Sequence, residues 1–570
     1  MPGSERGLPW TLPAAVAATV AAAMIWIATI PADRLREVLE ATQFWMLDAL
    51  LALVGVASLA TLRQLFGHLE LRRADKWAAA GAATLAIGLA LGVAPATNRI
   101  YYDEQIYESV AQNLTDLHRA QMCNQGTVEY QRLQCERSEY NKEPYGYPHL
   151  LSVVYRLFGV SSRSPHVLNG LVHGATTWVV FMVTLVFFRD PRAAGFAALA
   201  AAIIPEQVLW SHTAASEPAS ALAAGWVLLA AGAYVRLRST ASLVMVAAAG
   251  AYAMTYRPEM PVLALPVAAA IVLMASRELK TGRLWLAAAG AVALSIVSLA
   301  HLASVRHEGW GTQGPRLALM FLGPNLRING WFYLWDARFP VALTALAVFG
   351  AWLRRSRAVG VMLLWLLAFA GIYVLFYAGS YDYGADIRYS LLTYAPIAVL
   401  AGLGAATLSR TLDARPLTAG RGVSIVVAAL TLQATWYLPL MRAVGEEAWA
   451  ARADVAFAEA TAKTLPRNAL VLTHNPGMFH VWGISAAQLS IAADQPEYVR
   501  RDLNRRYAGG VYIHWNFWCN VSDPVQNAFC THVLSSFRTT RIAEFRERDY
   551  RYAFYRIAMP DGDPAPAGVR

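Results

Sequence analysis

The chain has 570 residues, of which 15% are charged and 56% are hydrophobic, and its formal net charge is +10 at pH 7. Repeated apolar runs of about 18 or more residues are each long enough to cross the ~30 Å hydrocarbon core of a bilayer, which excludes an ordinary soluble domain. The basic residues lie in short segments between these runs, which is the positive-inside pattern of membrane proteins and not the basic stripe of a nucleic-acid-binding protein.

The first three predicted spans lie at about residues 11–31, 43–62 and 77–96. The first has no small-residue cleavage site and is followed by further spans, so we interpret it as a retained helix and not a removed signal peptide. The segment RQLFGHLELRRADK joins the second and third spans and is strongly basic. With alternating spans, this segment and the later Arg-rich loops face the cytoplasm, which predicts about thirteen transmembrane helices.

The opposite, extracytoplasmic side receives a long loop, residues 97–164, and everything after about residue 442. The runs ALVLT, GGVYIHW, RIAEF and RYAFYRIA predict strands there, whereas Ala451–Lys463 and Pro496–Tyr507 predict helices. We therefore expect a small C-terminal α/β domain. The predicted organisation is an additional N-terminal transmembrane hairpin (1–76), a membrane module (77–441) and an extracytoplasmic α/β domain (442–570).

The four cysteines all fall on the predicted extracytoplasmic side, where an oxidising compartment lets disulfides persist. Their spacing favours two local disulfides, Cys123 with Cys135 and Cys519 with Cys530. The alternative is a zinc site made by all four, but neither pair has the tight spacing of a zinc knuckle.

The stretch RIYYDEQIYESVAQNL places Asp103 and Glu104 directly after the third predicted span. Ile106, Val110 and Leu114 follow at helical spacing, which predicts an amphipathic helix lying on the membrane surface. One interpretation is that Asp103 caps this helix and Glu104 is a favourable first-turn charge. The other is that a carboxylate here accepts a proton from a hydroxyl group.

Further ionisable side chains are predicted at the extracytoplasmic ends of other spans: Glu217, Arg257, Glu259 and Arg388. Such groups are expensive at membrane depth and mark functional sites by default. Arginines at this level bind phosphate in a bidentate manner, whereas the alternative for each arginine alone is contact with lipid head groups. Several of these groups converging from different helices would form one cavity.

Five segments in this order resemble the C-type (GT-C) polytopic glycosyltransferases: YYDEQIYESVAQNL, NKEPYGYPHLLSVVYRLFG, SEPASALAAGW, YRPEMPVLALP and IRYSLLTYAPIAVLAG. The resemblance is to the protein O-mannosyltransferase and lipid A aminoarabinose transferase branch, and it covers most of residues 77–410. Family members carry an acidic motif at the start of a long first outer loop and often an Arg-Tyr pair that opens a late span. The additional N-terminal spans, the cysteine-containing insert and the C-terminal domain depart from that pattern.

The resemblance implies an enzyme that transfers a sugar, with inversion, from a polyprenyl-phosphate donor to a glycan, lipid or protein hydroxyl at the outer face of the plasma membrane. It implies Asp103 as the general base, Glu104 as a neighbouring catalytic residue that positions the substrate, and Arg388, followed by Lys142 and Arg257, as the phosphate-binding residues. The other side chains expected to line the substrate site are Tyr102, Tyr145, Tyr147, His149, His212, Glu217, Glu259 and Tyr389.

Phosphate is already a good leaving group, so a base and electrostatic stabilisation suffice without a nucleotide-binding fold. The chain has no Gly-rich phosphate loop, which argues against soluble nucleotide sugars as donors. We therefore assign no cofactor and no metal; a divalent cation held by Asp103 and Glu104 with His149 or His212 is the alternative. Mannose, arabinofuranose, aminoarabinose and galactose are all compatible sugars. Two other functions stay open: a secondary transporter, which predicts inverted repeats and broken mid-membrane helices, and a membrane scaffold or assembly protein.

Overall fold

The computed structural model describes residues 11–308, 314–336, 338–382, 386–445, 448–520 and 523–558. As far as residue 445, the helices are α1 (Thr11–Thr29), α2 (Ala32–His68), α3 (Arg73–Gly92), α4 (Tyr101–Asp116), α5 (Gly146–Phe158), α6 (Ser164–Phe188), α7 (Pro191–Ile203), α8 (Pro205–Trp210), α9 (Glu217–Leu237), α10 (Thr240–Ala253), α11 (Ala264–Met274), α12 (Gly282–Leu294), α13 (Ile296–Ser304), α14 (Leu322–Leu334), α15 (Val341–Leu353), α16 (Arg357–Leu375), α17 (Leu391–Asp413), α18 (Gly422–Trp436) and α19 (Leu438–Gly445).

The remaining helices belong to the C-terminal segment, residues 448–558, and the strands of the described residues form one sheet. These helices are α20 (Trp449–Ala462), α21 (Pro476–Val481), α22 (Leu489–Asp494), α23 (Pro496–Tyr498), α24 (Asn504–Arg506) and α25 (Pro524–Ser535). The strands are β1 (Met122–Glu129), β2 (Arg132–Glu139), β3 (Ala469–Thr473), β4 (Ser485–Gln488), β5 (Gly510–Trp515), β6 (Thr539–Glu547) and β7 (Tyr550–Ile557).

Within the described residues, five helices are long and apolar enough to cross a membrane, or six if the bent pair α12 and α13 forms one span. The five are Ala32–His68, Ser164–Phe188, Glu217–Leu237, Arg357–Leu375 and Ile387–Asp413. Other apolar helices, including α7, α10, α15 and α18, have between 10 and 17 residues. A multi-pass helical membrane protein is therefore confirmed, whereas the count of about thirteen spans stays a prediction.

The N-terminal helices differ from their predicted bounds. Helix α2 runs for 37 residues from Ala32, so the predicted connection before residue 43 is helical. A turn at Ile30 and Pro31 separates α1 from α2, and Pro31 forms no side-chain cap. The apolar run of the second predicted span is thus the continuation of a longer helix.

Helix α4 is present where the sequence predicts an amphipathic helix, but it does not lie on a surface. Twelve of its sixteen side chains, from Tyr101 to Leu114, are buried, because α5 packs on one side and α21 on another. The helix begins at Tyr101 and its N-cap is Ile100, which makes no side-chain cap. The interpretation of Asp103 as the N-cap is therefore wrong, since its backbone already lies in the first turn.

The seven strands form one mixed sheet in the order β2-β1-β4-β3-β5-β7-β6. Strand β3 pairs in parallel with β4 and β5, and every other pair is antiparallel. The two central strands β3 and β5 are buried along their whole length, as expected for strands covered on both faces. Strands β1 and β2 come from the 97–164 segment, so the sheet joins that segment to the C-terminal one.

The four strands predicted in the C-terminal segment correspond to β3, β5, β6 and β7. Strands β1, β2 and β4 were not predicted. The helix predicted over Pro496–Tyr507 is present as one continuous helical segment over residues 496–506, in which a π-helical turn at Val499–Leu503 lies between the α-helical turns α23 and α24.

Both predicted disulfides are confirmed. Cys123 and Cys135 join β1 to β2 with their Cα atoms 5.7 Å apart, and Cys519 and Cys530 join a 3-10 turn at Phe517–Cys519 to α25 with a Cα separation of 5.5 Å. The alternative of a zinc site shared by the four cysteines is therefore wrong.

Candidate active site

A cavity of about 510 Å³ lies where α4, the segment before α5, the turn between α10 and α11, and the ends of α9, α16 and α17 meet. Eight of the side chains predicted from the sequence line this cavity: Tyr102, Asp103, Lys142, Glu217, Arg257, Glu259, Arg388 and Tyr389. The convergence expected from separate helix ends is therefore present in the structure.

Two arginines in the cavity share one buried carboxylate. Glu217 opens α9 and its side chain is only 1% exposed. Its Oε1 lies 3.0 Å from Nε of Arg388 and accepts a hydrogen bond from Nη1 of Arg257 at 2.5 Å. Arg257 also pairs with Glu259. Because a buried charge is tolerated only with partners, these contacts fix both guanidinium groups in the wall of the cavity.

Asp103 faces these arginines from the first turn of α4. Its Oδ2 lies 3.7 Å from Nη2 of Arg388, and its side chain is 29% exposed because it opens into the cavity. Burial raises the pKa of the Asp103 carboxyl above its usual value, whereas the positive charge of Arg388 opposes that rise. The result is a carboxyl group that accepts a proton more readily than an exposed aspartate while a cation faces it.

A second carboxyl group, Glu143, lines the same cavity and was not predicted. Its backbone N–H donates to the side chain of Asn141 at 2.6 Å, and the preceding Lys142 carbonyl accepts from Nε2 of His301 at 3.1 Å. Burial, with a contribution from the charge of Asp103, raises the pKa of Glu143 to about 7. The sequence signal was available, because Glu143 lies beside Lys142 within the quoted NKEP motif.

Aromatic rings form much of the remaining wall. Tyr373 and Tyr389 stack with their centroids 5.0 Å apart, and Arg257 lies 5.0 Å from the centroid of Tyr389. The Tyr373 hydroxyl donates to Glu259 at 2.7 Å. Tyr373, like Arg316 and Tyr256, lines the cavity without having been predicted. Together these contacts make a rigid wall that is aromatic on one side and ionic on the other.

Five predicted site residues lie outside the cavity lining: Glu104, Tyr145, Tyr147, His149 and His212. Glu104 is completely buried, and neither of its carboxylate oxygens has a hydrogen-bond partner among the described residues. Burial, followed by the charge of Glu108, raises the pKa of Glu104 well above its ordinary value. The structure therefore separates Glu104 from Asp103, although the two are adjacent in sequence.

The two predicted histidines are engaged elsewhere. His149 Nε2 donates to Oδ1 of Asp48 on α2 at 2.8 Å, and His212 Nδ1 donates to the carbonyl of Ala94 at 2.6 Å. Neither histidine lines the cavity with Asp103, so the metal site considered as an alternative does not fit. In the described part of the chain, His474, Cys519 and Cys530 form the one close group of three metal-binding residue types, and both cysteines are oxidised.

The membrane helices and the mixed sheet together have a fold similar to that of the GT-C membrane glycosyltransferases. The solved structure of ArnT from Cupriavidus metallidurans bound to undecaprenyl phosphate matches with a TM-score of 0.53 and 15% identity, over 84% of this chain and 96% of that one. The apo state of the same protein matches with a TM-score of 0.53 and 16% identity, over 85% of this chain and 98% of that one.

The sequence comparisons agree with the fold. The family model described as dolichyl-phosphate-mannose-protein mannosyltransferase matches residues 142–301, a range that includes Lys142, Glu217 and Arg257 of the cavity. No curated protein matches the chain by sequence. The resemblance to GT-C glycosyltransferases inferred from sequence motifs is thus confirmed at the level of the fold and of this family match.

Proposed function

We propose that this protein is a membrane glycosyltransferase that transfers a sugar from a polyprenyl-phosphate donor to the hydroxyl group of a glycan, lipid or protein. The observation that carries this proposal is the single cavity in which Asp103 faces Arg388 at 3.7 Å, with Arg257 beside them. A base and a pair of guanidinium groups are the two elements that this transfer requires. The ArnT structure with bound undecaprenyl phosphate supports the same class of donor.

The donor phosphate is assigned to the guanidinium groups of Arg388 and Arg257, with Lys142 as a third positive charge. Guanidinium groups bind phosphate in a bidentate manner and remain charged at any physiological pH. A second cavity of about 570 Å³ is bordered by residues of the same 254–261 segment and is almost wholly apolar. Its walls come from α1, α10, α11 and α12, and its position suits the hydrocarbon chain of a lipid-linked donor.

The residues in the cavity account for the proton and the charge that move during the proposed transfer. The acceptor O–H gives its proton to the Asp103 carboxylate as the acceptor oxygen bonds to the anomeric carbon of the sugar. The bond between that carbon and the phosphate oxygen breaks, and polyprenyl phosphate leaves with the electron pair. Attack on the face opposite the phosphate inverts the anomeric centre. The negative charge that grows on the phosphate is stabilised by Arg388 and Arg257, which are already oriented by Glu217.

Asp103 is assigned as the base in preference to Glu143. Both carboxyl groups line the cavity, but Asp103 is the one that forms an ion pair with Arg388, the first phosphate ligand. The charge of Arg388 also opposes the rise that burial causes in the pKa of Asp103, which favours the ionised form that a base requires. Glu143 is assigned to hydrogen bonding with the sugar or the acceptor.

We assign the cavity and the C-terminal α/β domain to the extracytoplasmic side of the plasma membrane, with about thirteen spans in all. The basic loops then lie in the cytoplasm. Reporter fusions at Lys280 and Asp494 test this orientation, and the expected result is opposite locations for the two positions. Reporters on the same side would contradict it.

The function is tested with the purified full chain and a panel of polyprenyl-phosphate sugars, following donor consumption and product formation. We expect transfer by the parent and a loss of about 10²–10⁴-fold in Asp103→Asn, with polyprenyl phosphate binding retained. Asp382→Asn is the matched control, because Asp382 is exposed and does not line the cavity. Transport of the lipid without sugar transfer by the parent would contradict the proposal, and transfer at the parent rate by Asp103→Asn would remove the base assignment.

A further inference from the structure

The first residue of α4 is tied to the C-terminal segment by a buried carboxylate. The Tyr101 hydroxyl donates a hydrogen bond to Oδ2 of Asp454 on α20, 353 residues away in the chain. Asp454 also accepts from Nε2 of His514 on β5 at 3.0 Å and from the backbone N–H of Phe517 at 3.0 Å. Asp454 and His514 have no exposed surface, and Tyr101 is also buried. Three donors on three separate elements therefore hydrogen-bond to this one buried carboxylate.

This contact lies in the first turn of α4, close to Asp103. Tyr101 lies two residues before Asp103, in the same helical turn. The first turn of a helix is its least constrained part, because its N–H groups have no partners within the helix. Helix α4 has no side-chain cap at Ile100 to compensate. The bond from Tyr101 to Asp454 is therefore an anchor at an end of α4 that has no side-chain cap.

Aromatic packing strengthens the same junction. The ring of Phe517 lies 5.2 Å from that of Tyr101, and the ring of Trp518 lies 6.2 Å from Tyr102 in an edge-on arrangement. Tyr102 lines the cavity. The 3-10 turn that carries Phe517 and Trp518 ends at Cys519, where the disulfide to Cys530 closes it. The C-terminal segment thus contacts the two residues that precede Asp103 through a cross-linked turn.

We infer that Asp454 is a positioning residue for the transfer reaction, because through Tyr101 it holds the first turn of α4 so that the Asp103 carboxylate faces Arg388. This inference rests on the proposed function for the reaction that is positioned. Misplacement of a catalytic group by about 1 Å can cost about 10²-fold in rate. A single hydrogen bond at the start of α4 is therefore sufficient to influence turnover without touching either substrate.

The sharpest variant is Tyr101→Phe, since it removes the link and leaves Asp454 with His514 and the Phe517 N–H as partners. Tyr552→Phe is the matched control. The Tyr552 hydroxyl is likewise buried and donates to the carbonyl of Ala450 on the same helix as Asp454, at 2.8 Å, but Tyr552 lies on β7, which does not pack closely against α4. Both variants remove one buried hydroxyl from the surroundings of α20, so a general loss of stability affects both.

The experiment uses the full chain in lipid nanodiscs and measures kcat, KM for the donor, polyprenyl phosphate binding and hydrogen exchange of the amides of residues 101–105. We expect Tyr101→Phe to lower kcat about tenfold, with donor binding and KM near the parent values, and to speed exchange in the first turn of α4. We expect Tyr552→Phe to change neither kcat nor the exchange in the first turn of α4. Asp454→Ala combined with Tyr101→Phe should lose no more activity than Asp454→Ala alone, because Asp454→Ala already lacks the acceptor for the Tyr101 hydroxyl.

Parent-like kcat and parent-like exchange in Tyr101→Phe would overturn the inference, as would fully additive losses in the double variant. These outcomes are distinct from failure of the proposed function, which would appear as a parent protein that consumes no polyprenyl-phosphate sugar. The exchange measurement needs no sugar transfer, so it reports on the anchor in either case.

Discussion

The two faces of α4 carry carboxyl groups in contrasting surroundings. On the cavity face, Asp103 opens into a space of about 510 Å³ and pairs with Arg388. On the other side, Glu104 and Glu108 are buried where α4 packs against α5 and α21. Burial raises the pKa of Glu108 to about 8, and it raises that of Glu104 well above its ordinary value. Burial therefore raises the pKa of the acids on both sides of this helix, but only on the cavity side does a guanidinium group, that of Arg388, oppose the rise.

The difference follows from helix geometry and from the available partners. Successive side chains on a helix are rotated by about 100°, so Asp103 and Glu104 project from α4 in different directions. Asp103 meets a guanidinium group, whereas burial is the first cause of the shift at both glutamates. A pair of adjacent acids in a sequence is therefore not a pair of catalytic acids until the structure shows what each one faces.

The largest expected effect is on the cavity face, at Arg388. Its guanidinium lies 3.0 Å from Glu217 and 3.7 Å from Asp103, so truncation leaves both acids without this partner. We expect Arg388→Ala to weaken polyprenyl phosphate binding by at least about 30-fold, because losing one member of a buried charge pair costs about 2–5 kcal/mol. Arg388→Lys keeps the charge but loses the two-pronged geometry, and about tenfold weaker binding is expected.

Binding is measured with a fluorescent polyprenyl phosphate and the purified protein. Arg415→Ala is the control, since Arg415 is exposed and lies outside the cavity. If Arg388→Ala binds polyprenyl phosphate with parent-like affinity, the phosphate-binding role would be assigned to Arg257 and Lys142 instead.

Part of the site was predictable from the sequence because its residues lie at the ends of apolar runs. The ionisable groups at such ends include Asp103, Glu217, Arg257 and Arg388. Because ionisable groups are costly at membrane depth, they are functional candidates whatever the three-dimensional fold. The same reasoning could not tell Asp103 from Glu104, since only packing against α5 and α21 distinguishes them.

Other features depend on contacts between distant parts of the chain. Strand β1 pairs with β4 through Gln125 and Ala487, so neither strand is identifiable from its own neighbourhood. His149 was predicted to line the substrate site because of its motif, but Asp48 on α2 holds it elsewhere. A contact with α2 therefore keeps one residue of the quoted motif away from the cavity.

The next effect concerns pH, and it tests whether the cavity carboxyl groups act together. Burial raises the pKa of Asp103 and brings that of Glu143 to about 7, with the Asp103 charge contributing to the latter. Interacting carboxyl groups titrate as a pair. Because the base must be ionised, kcat/KM should rise as pH increases towards neutrality. In Glu143→Gln the repulsion is absent, so Asp103 ionises more easily and the rise should move to lower pH.

The measurement is kcat/KM between about pH 5 and pH 9 for the parent and Glu143→Gln. If kcat/KM rises over the same pH range in Glu143→Gln as in the parent, Glu143 does not interact with the base. Complete loss of transfer in Glu143→Gln would instead make Glu143 the base.

A smaller effect is expected at Glu104, where the comparison between the two faces is most direct. A protonated carboxyl and an amide have similar shape and neither is charged, so Glu104→Gln should transfer sugar within about threefold of the parent rate. Asp103→Asn, the same chemical change one residue earlier, should lose nearly all activity. The two variants are assayed side by side with equal amounts of folded protein. A severe loss in Glu104→Gln would support the positioning role that the sequence resemblance implies for this residue.

The smallest expected effect is on stability, at Glu108. Its carboxyl lines a cavity of about 380 Å³ on the face of α4 away from the donor site, and burial raises its pKa from 4.5 to about 8. In the unfolded chain the group ionises at its ordinary value. Between about pH 4.5 and pH 8 the unfolded state therefore binds fewer protons than the folded state, so the free energy of unfolding falls as pH rises and levels off above that range.

The Glu108→Gln variant lacks this titration, and its unfolding temperature should exceed that of the parent by a margin that grows with pH to a few degrees. Thermal unfolding in detergent, followed by tryptophan fluorescence, measures the margin. A margin that is independent of pH would show that Glu108 ionises at its ordinary value in the folded protein, and the contrast between the two faces of α4 would then be one of position and not of charge.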